Sequence, residues 1–149
     1  MNKIKIISAI HFSVAATLFW ILFAIYFGTL DEFFWPSAFV AIFTTICVSI
    51  YLTPKFINYS KKPSTIISGS IAGSAVTISS AILTSVIVSF GAALYGLSST
   101  STTIGLFFME VVLVFLSGLL MFIIYMIPSL FFGAVAGIFL FRRIQTLEQ

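Results

Sequence analysis

The sequence predicts an all-α membrane protein: a four-helix transmembrane bundle with N- and C-termini both cytoplasmic. Three observations lead there. The 149 residues are 60% hydrophobic and 7% charged, whereas soluble domains carry about 25% charge. The stretch from Ile104 to Arg143 holds no charge between Glu110 and Arg142, and it outruns the roughly 20 apolar residues that cross a bilayer. Finally, four spans put Lys3, Lys5, Lys55, Lys61, Lys62, Arg142 and Arg143 on one side, with Asp31, Glu32 and Glu110 toward the other. Basic residues stay on the cytoplasmic side. Three or five spans would strand a basic cluster outside, and only Glu148 in the tail departs from the pattern.

The expected spans are residues 6–30, 36–53, 64–96 and 104–141 of a single integral membrane domain, 1–149. The first begins after two lysines, as a signal peptide would. Its apolar run from Ile6 to Leu30 exceeds the roughly 7–15 residues of such a segment, so an uncleaved helix is expected. Asp31 and Glu32 end it. Phe33, Phe34 and Trp35 suit the headgroup zone, and Pro36 suits the first turn of the second helix. Pro54 and Lys55 are expected to stop that helix. The loop KFINYSKKP carries a glycosylation sequon, Asn58-Tyr59-Ser60, on the side where that modification does not occur.

Pro63 opens the third helix, and LSSTSTT turns it into the fourth. From Ser64 to Gly96 a helix is about 50 Å long against a hydrocarbon core of about 30 Å, so the third and fourth helices are expected to tilt, bend or project. Pro128 is expected to kink the fourth rather than divide it, because Ser129 to Phe141 is too short to cross alone.

Ser70, Ser74, Thr77, Ala81, Ser85, Ser89, Ala92 and Gly96 follow at intervals of three or four. They make one stripe of small residues on the third helix, extended by Gly69 and Gly73. Helices in lipid associate through close packing and hydroxyl hydrogen bonds, so the stripe reads as a packing seam. A hydroxyl-lined path in an oligomer is the alternative. The fourth helix carries a GxxxG, Gly133 and Gly137. In an antiparallel pair these lie at the depth of Gly69 and Gly73, so the two helices are expected to approach there, the rival partner being a second copy of the chain.

Glu110 is the one acid within an apolar run, and an intramembrane acid is a functional candidate by default. Its place along the helix puts it nearer the outer headgroups than the core. His11, the single histidine, falls in the cytoplasmic half of the first span, and Glu110 lies near the opposite face. The two therefore cannot form a direct relay. The single Cys47 permits no internal disulfide. The basic residues form short clusters rather than a patch, which argues against nucleic acid as a partner.

No HExxH, CxxC, phosphate loop or matched Ser/His/Asp set occurs. No cofactor, metal or catalytic role is expected. In size and four-span, both-ends-in topology the chain resembles immunity proteins against pore-forming bacteriocins and small lipid-linked-sugar flippases. The expected role is non-enzymatic: helix contacts in the lipid bilayer with a membrane-protein partner, as an accessory subunit or immunity-type protein in the plasma membrane, which is expected to be a bacterial inner membrane. The alternative is a homo-oligomeric channel or transporter with the third-helix stripe lining its path.

Overall fold

A computed structural model of the protein describes residues 2–27, 34–59, 65–99 and 104–148. Each of these segments is one helix: α1 (Asn2–Phe27), α2 (Phe34–Tyr59), α3 (Thr65–Ser99) and α4 (Ile104–Glu148). All four are long and apolar enough to cross a membrane, over Lys3–Tyr26, Trp35–Ile57, Ile66–Ala92 and Ile127–Thr146. The architecture is therefore a small, all-α, multi-pass membrane bundle.

The outward surface agrees with that solvent. On α1, Ile6, Ile10, Val14 and Leu18 recur every four residues and are all at least half exposed. Such a stripe would be an interaction patch in water; in a bilayer it is the lipid face. Ile71, Ile78 and Ile82 on α3 are exposed in the same way.

The helices form a closed ring. α3 and α4 share the most extensive contact, α1 meets α2, α2 meets α3, and α4 returns to α1 through the least extensive one. Among the described residues the backbones of the diagonal pairs do not meet. Residue pairings make every neighbour antiparallel. Ser8 meets Thr53, Thr44 meets Thr84, and Phe19 meets Phe132 with ring centroids 5.8 Å apart.

The centre is filled by Phe12, Val76, Ala136, Leu140 and Ile144, with Ile4, Ile7, Val48, Leu52 and Ile57 packed around them. Ile4, Ile57 and Ile144 belong to one cluster, so α1, α2 and α4 draw level at the end that carries the termini. Both α1 and α2 have 26 residues, while α3 has 35 and α4 has 45. The Thr44–Thr84 pairing sets Phe34 level with Leu94, so α3 runs past α2 by five residues at the turn end, about 8 Å at 1.5 Å per residue, and by four at the terminus end.

The structure departs from expectation at Pro54. The second helix does not stop there but runs on to Tyr59 with Pro54 inside it. Proline removes one intrahelical hydrogen bond, a loss that transmembrane helices tolerate where neighbouring helices and hydroxyl side chains re-engage the backbone. The carbonyl that Pro54 leaves without its helical donor is that of Ile50; Ser8 Oγ of α1 lies 3.2 Å from the carbonyl just before it, that of Ser49. Lys55, also expected to end the helix, lies instead with its ammonium 3.8 Å from the centre of the Tyr51 ring, one turn back. α4 likewise continues beyond residue 141 to Glu148 with Pro128 inside it. The expected stop at Asp31 and Glu32 falls outside the described residues.

Candidate functional site

Four glycines position the α3–α4 contact. A Cβ on Gly69 would lie 2.7 Å from the Gly137 carbonyl oxygen and 2.7 Å from the Ile138 Cα. One on Gly73 would run into the Gly133 carbonyl, with its carbon at 2.7 Å. In the other direction, a Cβ on Gly137 would meet the Gly69 carbonyl and, at 2.9 Å, the Gly73 nitrogen. These obstacles are backbone and cannot rotate away. The helices touch main chain to main chain, as only residues without a side chain allow. Gly133 differs: its Cβ would strike the Thr77 hydroxyl, with the Gly73 oxygen at 2.9 Å. Thr77 is held in that place by donating to the Gly73 carbonyl at 3.0 Å. Gly69, Gly73, Thr77, Gly133 and Gly137 are thus brought together in one seam.

The remainder of the small-residue stripe is placed differently. Ser70, Ser74, Ala81 and Ser85 are half-buried; the deepest line of α3 runs Gly69, Ala72, Gly73, Val76 and Ser80, and the stripe joins the buried set only at Ser89. The reason is that α3 serves two neighbours at once, α4 and α2. The line between those two contacts points to the bundle centre, which the compositional stripe does not track.

Hydroxyl groups stitch the other interfaces, at residues that sequence reasoning did not single out. Ser8 Oγ donates to Thr53 Oγ1 at 2.7 Å, joining α1 to α2, and all of Ser8, Ser49 and Thr53 are buried. Between α2 and α3, Thr44 Oγ1 is 2.6 Å from Thr84 Oγ1. Each of the two also lies within reach of a carbonyl of its own helix, Thr84 at 2.7 Å from that of Ser80 and Thr44 at 3.0 Å from that of Ala41. The Ser80 hydroxyl turns back to the Thr77 carbonyl at 3.0 Å. The spacing of Thr44, Ser49 and Thr53 along α2 is the signal that could have marked them.

The two titratable candidates are not brought together. His11 is half-buried on α1, and its Nδ1 is buried with no hydrogen-bond partner among the described groups. Glu110 lies on α4, 30 residues before Leu140, which packs on Phe12; that is about 45 Å of helix. The Glu110 side chain is outside the described set. No group of three His, Cys, Asp or Glu gathers among the described residues. No family model matches the chain, and neither does any characterised protein or solved structure.

Proposed function

We propose that the protein acts without catalysis, through helix contacts with a partner in the bilayer, as an accessory subunit or an immunity-type protein does. In this reading both termini lie in the cytoplasm, the membrane is the plasma membrane, and α4 bends near Pro128 while α3 and α4 tilt to fit their length. The observation that carries it is the overhanging α3–α4 hairpin. Leu94, Tyr95, Leu106, Phe108, Met109 and Val112 are exposed toward its turn end, where a face in the bilayer meets either lipid or another helix, and this reading assigns it a partner helix.

The third-helix hydroxyls favour this reading over a pore. Thr77, Ser80 and Thr84 each donate to a backbone carbonyl of α3 itself, so these protons are engaged rather than offered to a solute. The experiment is photo-crosslinking in the native membrane from a probe at Met109, compared with one at Ile10. A single heterologous partner captured at Met109 and not at Ile10 is the expected result. Capture of nothing but copies of the chain, together with solute flux from purified protein in liposomes that falls in Glu110→Gln, would replace this reading with the oligomeric channel. Orientation is tested separately in a Cys47→Ala background: a cysteine at Ser99 should label from outside intact cells and one at Ser60 should not.

A further inference from the structure

Five cations with described side chains crowd the terminus end of the bundle: Lys3, Lys5, Lys55, Arg142 and Arg143. Among the described residues none of them joins an ion pair. Helical spacing brings two of them, the half-buried Lys5 and the exposed Arg143, to the α1–α4 side. On α1, Lys5, Phe12 and Phe19 follow at seven-residue intervals and so share a flank. Phe19 packs on Phe132 of α4, and Phe12 packs among Ala136, Leu140 and Ile144. Continuing that flank downward brings Lys5, which is half-buried, against the last turns of α4.

On α4, Arg143 follows Phe132 by eleven residues, three turns of helix, and so returns to the same side. The α1–α4 groove therefore ends between two positive charges. Glu148, the nearest acid along α4, is five residues further on in sequence. Like charges on facing helices repel, and they do so at the least extensive contact of the ring. A bridging anion would turn that repulsion into a clasp. Just inside the two cations the surface is apolar again, with Phe139 exposed one turn before Arg143. An anion carrying acyl chains fits this order of charge and oil, and a free ion does not use the second half of it.

We propose that the terminus end of the α1–α4 groove, with Lys5 and Arg143 as its cations, binds the phosphate of an anionic phospholipid. The full chain, purified in mild detergent, is titrated with phosphatidylglycerol, phosphatidylcholine and inorganic phosphate, with native mass spectrometry and thermal unfolding as the two readouts. Phosphatidylglycerol should bind and stabilise above phosphatidylcholine. Lys5→Gln and Arg143→Gln should each cut that preference about fivefold, the effect of one basic residue near an acidic lipid surface. Arg143→Lys should keep most of it, and Lys55→Gln, on α2 and stacked over Tyr51, should keep all of it. Equal losses in Lys55→Gln would overturn the site in favour of diffuse surface charge. Inorganic phosphate stabilising as well as the lipid would overturn the lipid assignment. Wild-type protein with no preference over phosphatidylcholine would sink the proposal whatever the variants do.

Discussion

The two ends of the α3–α4 pair use the same residue type to opposite effect. At the terminus end, Gly69, Gly73, Gly133 and Gly137 have backbone or a fixed hydroxyl where a Cβ would go. At the turn end, Gly91 and Gly105 have nothing within 4 Å. There the helices are held apart by rings instead, Phe90 against Phe107 with centroids 6.2 Å apart. One pair of helices thus converges to main-chain contact at one end and is propped open by aromatics at the other. Glycine in a membrane helix is informative only through what faces it: at the seam it is required by contact, and at the turn end it merely costs helix propensity.

The largest test of that contrast is Gly73→Leu. The new side chain would displace the α4 backbone, and a loss of about 3 kcal/mol or more is expected, the upper range for overpacking. A thermal melt in detergent, or failure to accumulate in the membrane, reads it. Unchanged melting would mean that the helices do not touch at that point. Gly133→Ala comes next, at about 1–3 kcal/mol, because its first obstacle is a side chain. Thr77→Ala in the same chain should recover part of the loss, whereas it should recover none of the loss in Gly73→Leu. Recovery in both would erase the distinction between backbone and side-chain obstacles.

Smaller again is Ser8→Ala at the α1–α2 interface. Interhelical hydroxyl bonds in lipid contribute about 0.6 kcal/mol on average, and a Ser8→Ala, Thr53→Val cycle should return a coupling of that order. A coupling of zero would make the 2.7 Å contact energetically idle. Smallest of all, Gly91→Ala should be neutral or stabilising by about 0.4–1 kcal/mol, since the added methyl enters open space. Clear destabilisation by Gly91→Ala would show that the turn end of α3 is covered by something in the assembled protein.

Much of the fold was legible because hydropathy and length act on whole helices. Four apolar runs, the even count and the antiparallel order follow from them, and the depth match of the two glycine pairs follows from the order. Helix ends were less legible. Pro54 reads as a stop because it frees a carbonyl, but inside a packed membrane bundle the helix runs on through it to Tyr59. The hydroxyl pairs were least legible. Thr44 and Thr84 meet only once α2 and α3 have a fixed rotation; Thr45, beside Thr44 in sequence, shares its contact with the Ala41 carbonyl, but only Thr44 also meets Thr84 of α3. Nothing in the local sequence separates those two threonines. The rotation of α3 between two partners was hidden for the same reason, which is why the half-buried Ser70 and Ser74 looked as central as Gly73.

The closure of the ring between α1 and α4 has a consequence in time. Phe12 and Phe19 of the first helix complete their packing against Ala136, Leu140 and Phe132 of the last. At about 5–20 residues per second, Leu140 leaves the ribosome roughly 6 to 25 s after Phe12. Over that interval the inward face of α1, including the Ser8 hydroxyl until α2 arrives, rests against lipid or against whatever the insertion machinery supplies. The protein is therefore most exposed to mispairing before its final helix exists, and a chain stalled short of residue 132 would hold α1 against α2 with its Phe12 and Phe19 flank still uncovered.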